Sequence, residues 1–151
     1  MVALVTCGTN DEPVAIHRTF IAVSGTGKAP LQPQRMMLGP CRGAAVRLAS
    51  SANVLMIGEG IETSLAVMQA TGQPAWAALS TAGLRSLNLP LGVRELILLA
   101  DGDDAGEEAA VDAARRWTYE GRRVRIARPG KGLDFNDLLC GRVLGTSGGV
   151  A

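Results

Sequence analysis

The chain has 151 residues, 47% of them hydrophobic and 19% charged, enough for one globular domain with a sizeable core. No apolar run approaches the roughly 18 residues of a membrane span, and the start MVALVTCGTNDEP lacks the basic and apolar regions of a secretory signal, so a soluble, cytoplasmic protein is expected. Net charge is only +1, and Cys7, Cys41 and Cys140 stand far apart, which excludes a disulfide framework and a CxxC zinc site and leaves reduced, mostly buried thiols as the expectation.

In chain order, VAIHRTFIAV has strand-forming residues, SGTGKAP and LQP read as turns, and RMMLGP and GAAVRLA are short candidate strands. Residues 1–50 are therefore expected to form a small β-rich extension. Beyond them VLMIG, ETSLAVMQATG, PAWAALS, TAGLRSLNLP, ELILLA, AGEEAAVDAARRWTYEG and RRVRIA alternate apolar runs with helical patterns. That alternation implies a parallel sheet wrapped by helices over residues 51–140, followed by a flexible tail at 141–151. The first helix should stop at Gly72, with Pro74 just beyond. The long helix should begin at Asp103 or Asp104, where Asp104 and Glu107 have capping-box spacing, and end in Arg115 and Arg116, matching the helix dipole. Trp76 and Trp117 lie in apolar patterns and read as core, and the lone His17 reads as structural.

SGTGKAP imitates a phosphate-binding loop, but GxxxxGK[ST] would need glycine and a hydroxyl where Ala22 and Ala29 stand. A hairpin turn fits better. The two strands VLMIG and ILLA each end in carboxylate beside glycine, Glu59-Gly60 and Asp101-Gly102-Asp103. Ligands of open α/β sheets sit at the carboxyl ends of strands, so two such ends side by side suggest a site. Charge is also segregated. Nine acids lie between Ser51 and Asp112 against Arg85 and Arg94, and eight basic residues follow from Ala113 onward. Carboxylates holding a cation beside a basic flank holding an anion would suit metal-assisted phosphate chemistry. In GRRVRIARPGKG, Arg123 and Arg125 should share one strand face, with Arg128 and Lys131 in the loop beyond. They are candidate contacts to nucleic-acid or nucleotide phosphate, or else the charged guard of an edge strand.

GEGIETSLA, LLADGDDAG and GLDFNDLL, in that order, resemble the primase form of the Toprim domain, which is shared by bacterial-type primases, topoisomerases and several nucleases. HRTF, GTGKAP, RMMLGP and GAAVRLA are similar to the region preceding Toprim in large primases of phages and mobile elements. The resemblance implies a Rossmann-like Toprim fold and a DNA primase-like nucleotidyltransferase making RNA primers in DNA replication. Its substrates would be nucleoside triphosphates on a single-stranded DNA template, and a replicative helicase is an implied partner.

Residue by residue, the resemblance makes Glu59 a general acid or base and sometimes a metal contact, and Asp101 and Asp103 the pair that holds Mg²⁺ or Mn²⁺. Asp134 and Asp137 match later acids of a second metal site. Primases often carry aspartate four residues after the glutamate, where this chain has Thr63, with Glu62 one residue earlier. A Toprim nuclease and a non-catalytic DNA- or nucleotide-binding module stay open as alternatives. A haloacid-dehalogenase phosphatase fits less well, because Ala105 stands where that fold favours threonine.

Overall fold

A computed structural model describes residues 1–130, 133 and 135–139. The chain builds one eight-stranded mixed sheet from two runs of strands. The first run is β1 (Val2–Cys7), β2 (Pro13–Thr19), β3 (Arg35–Leu38) and β4 (Ala44–Arg47). The second alternates β5 (Val54–Gly58), α1 (Ile61–Thr71), β6 (Ala75–Ala77), α2 (Thr81–Ser86), β7 (Glu95–Leu99), α3 (Asp104–Tyr119), β8 (Arg123–Ala127) and α4 (Phe135–Leu139). Strand order is β3-β2-β1-β4-β6-β5-β7-β8. The last four strands pair in parallel, whereas β1 to β4 pair antiparallel and join them through an antiparallel β4–β6 contact. The short connection from Arg47 to Val54 thus carries the chain within the same sheet. β1 was not among the segments marked in the sequence: its six residues VALVTC are too uniformly apolar or small to show a period of two.

The parallel strands are buried on both faces, which explains their continuous apolar runs. Leu55, Ile57, Leu96 and Leu98 point to the side covered by α2 and α3, where Leu84, Leu87, Ala109, Ala113 and Trp117 meet them. Met56 and Leu99 point the other way, toward Val67 of α1, with Phe135 of α4 packed alongside. The alternation is the β period of two read out as two cores. A third cluster joins Val5, Ala15, Ala44 and Val46 of the antiparallel strands to Ile61 and Ala77. Among the described residues no helix is long and apolar enough to cross a membrane.

Local signals at helix ends act largely as expected. α1 ends at Gly72, whose φ of 69° is left-handed and whose N–H reaches the Met68 carbonyl. The capping-box expectation for Asp104 is corrected. Asp103 is the N-cap of α3, accepting the Gly106 N–H at 2.7 Å, and the Glu107 side chain is bound by Arg128 instead. The thiol expectation is corrected too: Cys7 and Cys41 are only half-buried, while Cys140 lies outside the described residues.

Both tryptophans are fully buried. Trp76 also ties the two runs of strands together, because its indole N–H donates to the Ala49 carbonyl at 2.9 Å and Arg47 stacks on its ring 4.1 Å from the centroid. Trp76→Ala should cost about 3–5 kcal/mol, and Trp76→Phe, which keeps most of the volume but loses the indole hydrogen bond, roughly 1–2 kcal/mol. Urea unfolding of both variants checks this.

Candidate functional site

The in-register pairing of Gly58 with Leu99 brings the carboxyl ends of β5 and β7 side by side. Chain order reverses across β5, since β6 lies on one flank and β7 on the other, so this is a switch point of the sheet. Glu59 leaves β5 directly, and Asp101 follows β7 after Ala100. The Glu59 carbonyl accepts the Leu79 N–H at 2.8 Å, while the Ala78 N–H reaches Gly58. Leu79 holds a φ of 73°, left-handed backbone that costs a residue with a side chain on the order of 1–2 kcal/mol. That strained turn braces the backbone of Glu59.

Asp101 and Asp103 are placed by the start of α3. A Cβ on Gly106 would come within 3.1 Å of both the Asp101 Cβ and the Asp103 Oδ1, so glycine allows the helix to seat this close to the acids. Asp103 caps α3 with Oδ1, so part of its acceptor capacity is already committed to the helix. Glu59, Asp101, Asp103 and Asp137 line one cleft of about 580 Å³. Asp134 lies outside the described residues.

The acids are felt most at Glu59. Burial first, then the Asp101 and Asp103 carboxylates, push its carboxyl up to about 7, with Arg85 opposing. Oxygen donors of this kind suit Mg²⁺, which takes one or two carboxylates and keeps several waters. Among the described residues no three His, Cys, Asp or Glu side chains form a ready-made metal cage. The residues fit a site in which two carboxylates and water share the ion, and the mutual repulsion recorded at Glu59 is what a divalent cation would relieve.

Two cations of the cleft were missed in the sequence. Lys28 and Arg35, from the turn segment GTGKAP and the start of β3, open onto the same cleft as the acids. Setting GTGKAP aside as a P-loop was consistent with its turn geometry and its isolated Ile21–Lys28 bridge. Its lysine nevertheless faces the site. Glu62 meets both cations, at 3.0 Å from Arg35 and 3.2 Å from Lys28. His17 is 8% exposed on β2 beside this group, and burial, then the Arg35 cation, push its imidazole down.

The downstream basic residues stand elsewhere. Arg123 and Arg125 share the exposed face of β8, as expected, and both pair with Glu95 at the opposite, amino end of β7. At about 3.3 Å per residue, Arg123 is roughly 20 Å along the sheet from Asp101. Arg128 lies at the carboxyl end of β8 but grips Glu107 with two hydrogen bonds of 2.9 and 2.5 Å. Lys131 lies outside the described residues.

Fold and site define an α/β domain with acids at adjoining strand ends. The sequence model of the Toprim domain matches residues 54–143, and the chain belongs to that family. A domain of unknown function, DUF7146, matches residues 1–48. No curated protein matches the chain. Among solved structures, the primase fragment of the bacteriophage T7 primase-helicase protein superposes with a TM-score of 0.64 at 18% identity, covering 93% of this chain and 58% of that one. The RNA polymerase domain of Mycobacterium tuberculosis primase DnaG gives 0.59 at 19% identity, with 91% and 49% covered. A DNA primase domain from Pseudomonas aeruginosa gives 0.56 at 19% identity, with 92% and 52% covered. The chain spans about half the length of the structures it matches.

The raised Glu59 carboxyl has a definite signature in metal-free buffer. The folded state keeps the Glu59 proton to about 7, whereas the unfolded chain releases it near 4.5, so stability should fall as pH rises through that window. Glu59→Gln should remove this contribution and be more stable than wild type above pH 7, by about 1 kcal/mol after solvent screening is allowed for. Urea midpoints at pH 5 and pH 8 in chelator test the sign.

Proposed function

We propose that this chain is the Toprim unit of a primase-like protein that joins nucleotides on a single-stranded DNA template. The observation that carries the reading is one cleft in which Glu59, Asp101 and Asp103 stand at adjoining strand ends while Lys28 and Arg35 enter from the antiparallel strands. Anionic substrate and cation both find partners there, as phosphoryl transfer requires. The family membership and the primase folds it superposes on support the same reading.

In this mechanism Asp101 and Asp103 would hold the ion, and Asp137 lines the same cleft; Asp134, which the resemblance also makes a metal ligand, lies outside the described residues. Mg²⁺, when bound, supplies charge neutralisation at phosphorus and lowers the pKa of a coordinated hydroxyl. Glu59 would accept the proton of the attacking hydroxyl or return one to the leaving group; the neighbouring carboxylates raise its carboxyl in the metal-free cleft, and a bound cation would draw it back down. Lys28 and Arg35, which line the same cleft as the acids, would bind the phosphates. Exposed Arg123 and Arg125 are too far along the sheet for the reacting phosphate and would serve only an extended template, with salt-sensitive affinity. A replicative helicase is the partner that such an enzyme would work beside.

Incubation with labelled nucleotides, single-stranded DNA and Mg²⁺ or Mn²⁺ should yield new oligonucleotides. Asp101→Asn should abolish them, and Glu59→Gln should slow them on the order of 10²-fold or more. Metal-dependent shortening of end-labelled DNA without nucleotides would instead make the chain a Toprim nuclease. Nucleic-acid binding that Asp101→Asn leaves unchanged, with no chemistry in either protein, would make it a binding module.

A further inference from the structure

Glu62 carries the next step. It lies in the first turn of α1, three residues after Glu59, lines the same cleft as Asp101 and Asp103, and bonds through its side chain to Arg35 of β3. One oxygen, Oε1, accepts from Arg35 Nη2 at 3.0 Å and meets Lys28 Nζ at 3.2 Å. The two cations arrive on separate pieces of backbone, Arg35 at the head of β3 and Lys28 in the turn between β2 and β3. A single carboxylate therefore gathers them at the edge of the cleft that holds the acids.

The donor inventory leaves both cations usable. Lysine has three N–H donors and arginine five, and Glu62 takes one from each, so most of their hydrogen-bonding capacity still faces outward. Without an anchor, long side chains half in solvent would spread over many rotamers, each cation losing time at the cleft mouth. Placement of the strands themselves does not depend on Glu62. The apolar cluster of Val5, Ala15, Val46 and Ile61 docks them against the start of α1. Although burial works against it, its own backbone N–H and the two cations hold the Glu62 carboxyl below the usual range, consistent with a permanent anion in this position.

We propose that Glu62 is a positioning residue: it locks Lys28 and Arg35 into a paired cationic arm that receives the phosphate groups of an anionic substrate in the cleft shared with the carboxylates that follow β5 and β7. Glu62 acts through these two side chains, not as a metal ligand. The inference rests on the primase-like reading only for the identity of the anion. It assigns to this residue a task distinct from that of the aspartate often found one position later in primases, where this chain has the buried Thr63.

The test is calorimetric titration of the full chain with inorganic pyrophosphate, in metal-free buffer and again with Mn²⁺, and separately with Mn²⁺ alone. The proteins compared are wild type, Glu62→Gln, Lys28→Ala/Arg35→Ala and the triple variant, with thermal unfolding of each to confirm folding. Glu62→Gln should weaken pyrophosphate about tenfold and leave Mn²⁺ affinity within about twofold, and adding it to the double variant should cost no more than about twofold further, because interacting residues are not additive. Unchanged or tighter pyrophosphate binding by Glu62→Gln would overturn the proposal, since Glu62 would then be idle or a competitor for the cations. So would a several-fold loss of Mn²⁺ affinity, or no pyrophosphate binding by wild type in either buffer. Wild type that binds no Mn²⁺ would sink the metal-dependent function, while the pyrophosphate comparison in metal-free buffer would still decide the role of Glu62.

Discussion

Everything at the site depends on the parallel pairing of β5 with β7. Because Gly58 and Leu99 are partners, the first polar residues beyond each strand emerge at nearly the same level, and three carboxylates are brought within electrostatic reach of one another. Like charges so placed repel one another, and the burden falls on Glu59, the half-buried member. The rest of the architecture holds that arrangement against its own repulsion. α3 caps onto Asp103, the left-handed turn at Leu79 braces Glu59, and the apolar layers on the two faces of the sheet keep both strands from slipping.

The antiparallel strands are more than an appendage to this design. They extend the same sheet through β4 and β6, and Trp76, Arg47 and Ala49 make the junction with an indole hydrogen bond and a stacked guanidinium. Their inward face then meets the start of α1, one turn away from Glu59. Lys28 and Arg35 thereby line the same cleft as Glu59, Asp101 and Asp103. A separate β unit on a flexible linker could not fix that placement.

Most of the second half of the chain was legible in its sequence. Continuous apolar runs marked the buried parallel strands, Gly72 marked the end of α1, and glycine beside carboxylate marked the two strand ends. These signals are local, arising from side-chain period, left-handed backbone and turn chemistry. The misassigned cap at Asp104 shows the limit of such signals: two adjacent aspartates both satisfy the pattern, and packing of Gly106 against Asp101 selects Asp103. β1 escaped notice because six small or apolar residues show no alternation.

By itself, then, the sequence determined the strand and helix alternation, the acids Glu59, Asp101 and Asp103, and the Toprim resemblance, since each is written in contiguous residues. Only the tertiary structure decided which cations share a cleft with those acids. The charge run after Ala113 pointed to Arg123, Arg125 and Arg128, yet all three pair with Glu95 or Glu107, and Lys28 and Arg35 take the place beside the cleft. The physical reason is range. A carboxylate engages whatever cation stands within about 4 Å, and that neighbour is set by strand order and register between distant segments, which no run of charge along the chain encodes.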